Sequence, residues 1–139
     1  MKFESFSLPK DFYIFLIIPF KIIYFRQLVN KVGYNFLLSS FEGNNLTNPA
    51  DESFIIKLNK FYKASSFFLV KIFKDPNPCM IRSLILYQLC SRNNIKASLV
   101  TGVNKKKGVL SGHSWIEING ESFNEDKTFI STFTVISEV

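Results

Sequence analysis

Residues 12–25 read FYIFLIIPFKIIYF, with one charge, Lys21, and one proline, Pro19. A membrane-spanning helix needs about 20 apolar residues, and this run is shorter. It is no secretory signal either: Glu4 and Asp11 precede it and no small-x-small cleavage site follows. The run therefore belongs in a core, or on a membrane surface or a partner protein. The chain of 139 residues suits one domain (1–139), and 47% hydrophobic against 20% charged residues exclude disorder. Sixteen phenylalanines fill a core and leave some for a surface or a partner. Two cysteines do not make a disulfide scaffold, and with one histidine they do not make a zinc site. No metal or cofactor is expected. Free thiols fit a reducing cytoplasm, with or without membrane association.

The net charge is +6. Residues 1–74 hold ten Lys/Arg against five acids, and residues 75–139 hold seven against six. The basic excess lies in the N-terminal part, interleaved with aromatics. It suits an anionic membrane surface or an acidic peptide, or it is a solvated face. No nucleic-acid recognition motif appears, and no nucleic-acid partner is expected.

Helical patterning runs from Pro9 to Val32, with a kink or break expected at Pro19 and a stop at Gly33. EGNNLTN at 42–48 reads as a polar loop. Asn48 and Pro49 then read as a helix start, with Asp51 and Glu52 favoured by the dipole. That helix is expected to reach about Lys74, with Phe54, Leu58, Phe61, Phe68 and Ile72 on its inner face. DPNP at 75–78 starts a further helix at Pro78, capped by Asn77 and apolar on most sides to about Arg92. Such a helix is central. Ile95–Val103 alternates as a strand, NKKKG at 104–108 is a turn, HSWIEI at 113–118 alternates again, and Asn119-Gly120 signals a hairpin returning over Glu121–Glu125. The expectation is an α+β domain: residues 1–74 helical, basic and aromatic, and residues 75–139 a central helix on a small antiparallel sheet.

Cys79 falls at about the second position of its helix, where unpaired N–H groups and the positive dipole end favour thiolate. Cys90 lies eleven residues on, roughly 16 Å along the same helix, beyond disulfide reach and at the end that disfavours thiolate. It reads as structural. His113, the only histidine, opens a strand after Ser111-Gly112 and supplies a base with a near-neutral pKa. A third group should hold the imidazole in one tautomer. Glu117, Glu121, Glu125 and Asp126 are at hand. A two-residue loop at Asn119-Gly120 sets Asp126 opposite His113; a three-residue loop brings Glu125 to the histidine face.

Taken together, CMIRSL at 79–84, IKASLVTGV at 95–103, GHSWIEINGE at 112–121 and FNED at 123–126 resemble the leader peptidases of lasso-peptide biosynthesis, in the transglutaminase-like (papain-like) cysteine hydrolase superfamily. The resemblance covers residues 75–136 well and the N-terminal part in character only. It implies a transglutaminase-like core and a Cys-His-acid triad: nucleophile Cys79, base His113, and Glu125 in the place after Asn124 where the family has aspartate, with Asp126 as substitute. Arg82 and Ser83 match the motif as site architecture, and Trp115 as a wall of the site or packing for the sheet. The stand-alone form of the peptidase matches best, which implies a precursor peptide as substrate, a separate leader-recognition protein and an ATP-dependent lasso cyclase as partners. Acyl transfer on the same fold and a non-catalytic peptide-binding scaffold are the alternatives.

Overall fold

Aspartate side chains that satisfy backbone N–H groups mark where two of the helices begin, and the others start without one. In the computed structural model, which describes residues 11–41 and 46–139, α1 (Phe12–Val32) follows Asp11 and α2 (Tyr34–Phe41) follows Gly33. Helix α3 (Glu52–Phe67) is capped by Asp51, whose carboxylate accepts from the Phe54 N–H at 2.8 Å. Asn48 is not the cap: its backbone bridges Ile95, giving N–H to the Asn94 carbonyl and taking the Lys96 N–H. Pro9 and residues 42–45 of the expected loop lie outside the described residues.

Helix α1 runs through Pro19 without a break. Ile14, Ile18, Ile22 and Phe25 form one buried stripe on both sides of the proline, so core packing holds the helix where the ring removes a hydrogen bond. The helix has 21 residues, more than the run that suggested it, and its most apolar 18-residue window has a mean hydropathy of 1.6, so it is long and apolar enough for a membrane span. The buried stripe nevertheless ties it along the protein.

Helix α3 gives way to a π-helical turn at Phe68–Ile72. The wider turn shifts the inner face by one residue. Leu69 is therefore fully buried, while Ile72, expected inside, is 58% exposed. Helix α4 (Pro78–Arg92) is the central element, burying Ile81, Leu84, Ile85, Leu86, Tyr87 and Cys90.

Strands β1 (Ala97–Lys106), β2 (Val109–Ile118), β3 (Glu121–Ser122) and β4 (Thr134–Glu138) form one antiparallel sheet in the order β3-β2-β1-β4. The expected turn shrinks to Lys107-Gly108, since both flanking strands extend into it, and Asn119-Gly120 is the other tight turn. All four turn residues have positive φ, the twist-matched hairpin geometry. Leu99, Ile116 and Ile118 join the helices in one core. The return strand is shorter than expected. After Ser122 only the Phe123 N–H still reaches the Ile116 carbonyl. Asn124 then turns left-handed at φ 54° and gives its side-chain amide to Asn59 of α3, so the chain leaves the sheet. A short helix α5 (Lys127–Ser131) follows, and β4 adds an edge strand that the weak C-terminal pattern did not announce.

Candidate active site

Pro78 opens α4 and puts Cys79 in its first turn. Among the described residues this helix start differs from two others. Asp51 caps α3 and Asp126 caps α5, whereas Asn77 makes no side-chain cap on α4 and no acid stands in its first turn. The N–H groups around Cys79 are left without a capping side chain or a competing carboxylate.

His113, in β2, is hydrogen-bonded to Cys79, and the backbone N–H of the next residue, Ser114, also donates to the sulfur. On its other side the ring holds Glu125, with Nε2 3.0 Å from Oε1. With Nε2 engaged, Nδ1 is the nitrogen left for the thiol. Asp126 is not in this chain; its carboxylate accepts from the Thr128 and Phe129 N–H groups and caps α5. The β2–β3 loop is the two-residue form, which by register alone would favour Asp126. The left-handed Asn124 overrides register and swings Glu125 onto the ring.

Burial pushes the Cys79 thiol up, but the His113 hydrogen bond, the Ser114 N–H, and the charges of His113 and Arg82 outweigh it and hold the thiol below its ordinary range. Burial alone would lower His113; its bonds to Cys79 and Glu125 raise it to about 9. The two shifts have one cause: sulfur and ring favour the thiolate–imidazolium form and act as one coupled pair. Cys90, buried at the far end of the helix and remote from these charges, is pushed up to about 12.

Aromatic rings lock the imidazole. Trp115 stacks on it at 5.8 Å between centroids, and Phe129 and Phe133 meet it at 5.2 and 5.5 Å. Gly102 is needed behind this wall, because a Cβ there would lie 2.9 Å from the Phe133 side chain. Trp115 thus both walls the site and packs the sheet. Arg82, one turn along α4 from Cys79, is clamped by the Tyr62 ring at 4.4 Å and gives Nη1–H to Ser66 Oγ at 3.1 Å. No carboxylate ion-pairs with it among the described residues, and its charge favours the Cys79 thiolate. Ser83 is buried within α4.

The sequence reading missed Tyr34. Its hydroxyl shares hydrogen bonds with Thr101 Oγ1 at 3.0 Å and Ser114 Oγ at 3.1 Å, placing α2 behind the strand residue that touches Cys79. Nothing in its local pattern pointed there. Phe129 and Phe133 carried a weak signal, an i, i+4 aromatic pair after the acid, which alone reads as packing. Among the described residues no group of three or more His, Cys, Asp or Glu is placed to hold a metal.

The chain is 28% identical over 133 residues to the microcin J25-processing protein McjB of Escherichia coli; the match covers 96% of this chain and 60% of that relative's length. No solved structure gives a significant match. Residues 61–138, from the end of α3 through β4, match the model of the transglutaminase-like superfamily. That segment carries the cysteine, the histidine and the glutamate on the helix and sheet described above, and on this match the chain is a member of the transglutaminase-like superfamily.

Proposed function

We propose that the protein is a cysteine peptidase that removes the leader from a ribosomally made lasso precursor peptide. The chain Cys79–His113–Glu125 at an uncapped helix start carries this reading. The likeness to a microcin-processing protein supports the substrate class. The Cys79 thiolate attacks the carbonyl at the leader–core junction, and the carbonyl electrons move onto oxygen beside the free N–H groups of α4. The tetrahedral intermediate collapses, the C–N bond breaks, and the His113 imidazolium gives its proton to the departing core amine. Neutral His113 then takes a proton from water, whose oxygen attacks the thioester. The thiolate leaves, and the leader is released with a free carboxylate. Glu125 holds the ring in one tautomer and balances its charge throughout.

In this reading the new amino terminus passes to an ATP-dependent cyclase, a separate leader-recognition protein delivers the precursor, and the reaction runs in the reducing cytoplasm. The test is incubation of the purified protein with a cognate lasso precursor peptide, followed by mass spectrometry. Two fragments whose masses sum to that of the precursor plus one water are expected, and Cys79→Ala should yield neither. An amine adduct of the leader would indicate acyl transfer. Cleavage by Cys79→Ala, or no Cys79-dependent product with the delivery protein present, would overturn the proposal.

A further inference from the structure

Helix α1 has two apolar faces. One is the buried stripe described above. The other carries Phe12, Leu16, Phe20, Ile23 and Tyr24, with exposures from 42% to 74%. At 3.6 residues per turn these five fall within an arc of about 120°, opposite the buried stripe. The helix has the hydropathy of a membrane span, yet only 22% of its apolar window is buried and it is bound lengthwise to the core. A second observation lies at the edge of this stripe. A groove of about 540 Å³ between α1 and α4 is walled by Ile17, Phe20 and Tyr24 and holds Lys21 and Arg92 together. Neither cation ion-pairs with a carboxylate among the described residues. Among the described residues Lys21 Nζ donates only to neutral Gln88, and burial followed by the charge of Arg92 depresses its pKa. Two like charges held in one aromatic-walled groove are a standing repulsion that an anion would relieve.

We propose that this face docks on an anionic lipid surface, with the α1 stripe seated at the headgroup boundary and Lys21 and Arg92 sharing a lipid phosphate. A helix held lengthwise by one apolar face, with exposed aromatics on the other and basic residues beside them, has the form of a surface anchor at the headgroup boundary. Charge complementarity selects this occupant. A second copy, itself at +6, would set Lys21 and Arg92 against the same pair. An acidic peptide would satisfy the cations but leave the rest of the stripe in water. The inference is independent of the peptidase reading.

Flotation of the full chain with vesicles tests it. Mixed phosphatidylcholine–phosphatidylglycerol vesicles should carry the protein up, phosphatidylcholine alone should carry little, and added salt should weaken the binding. Lys21→Gln with Arg92→Gln should lower the partition coefficient by about thirtyfold, and Phe20→Ser with Tyr24→Ser by about tenfold or more. Lys105→Gln with Lys106→Gln, the same charge change on the far hairpin, should cost much less. These residues are solvent-facing or groove-lining, and circular dichroism would confirm that each variant is folded. The proposal is overturned by failure to float on anionic vesicles, by equal flotation on neutral ones, or by a hairpin variant that loses as much as the groove variant. Self-association dispersed by Phe20→Ser with Tyr24→Ser would give the face to a second copy and overturn it equally.

Discussion

Cys79 and Cys90 sit on the same helix, and the protein treats them as different elements. Cys79 occupies the first turn, where the N–H groups lack a side-chain cap and His113, Ser114 and Arg82 converge on its sulfur. Cys90 occupies the last turns with no exposed surface, and its thiol is driven up to about 12. Cys79 is half-buried, and partial burial pushes its thiol upward as well, so burial alone does not account for the opposite shifts. What separates them is whether the protein supplies positive charge and N–H donors to replace the lost water. A cysteine's reactivity on a helix is therefore set by the charges and donors that face it as well as by its burial.

The sharpest way to break the comparison is alkylation. Iodoacetamide near neutral pH should label Cys79 at least about 10³-fold faster than Cys90, because Cys90 reacts only when the core opens. Equal rates followed by peptide mapping would refute the contrast. Next comes the acid. Glu125→Gln removes the charge that holds the ring and should lower cleavage by about 10²–10⁴-fold, as loss of the third triad member does elsewhere. Asp126→Asn weakens only the α5 cap and should cost activity far less. Steady-state kinetics of the two variants checks the pair, and an Asp126→Asn loss as large as that of Glu125→Gln would move the acid to the neighbouring residue. The smallest effect concerns Arg82. Replacing it by Met should move the Cys79 thiol upward and lower the thiolate fraction near neutral pH, with Arg82→Lys restoring part of it. The pH dependence of the alkylation rate measures this directly, and an unmoved profile would make Arg82 a packing residue only.

Much of this was legible in the residues because the signals were local. Pro78 and the start of an all-round apolar helix placed Cys79, and a single histidine opening an alternating run placed His113. The parts that were not legible depend on contacts between distant residues. The choice between Glu125 and Asp126 rests on Asn124, whose side chain bonds Asn59 sixty-five positions away and so cuts the return strand short. The inner face of α3 changes phase at the π-helical turn, which exchanged Leu69 for Ile72. Pro19 stays inside a helix because a core stripe spans it, and packing outweighs the local rule. Tyr34 reaches the site only through Thr101 and Ser114, a link that no periodicity encodes.

The account rests on a thiolate–imidazolium pair held from behind by a carboxylate, and the protein's single histidine makes it directly measurable. NMR titration of the His113 ring should give a pKa raised to about 9, falling toward the ordinary value near 6.5 in both Cys79→Ala and Glu125→Gln. The sign is fixed: each partner stabilises the charged ring, so removing either lets the proton leave at lower pH. A ring that titrates near 6.5 in the unaltered protein, and does not move in either variant, would contradict the pair at its root.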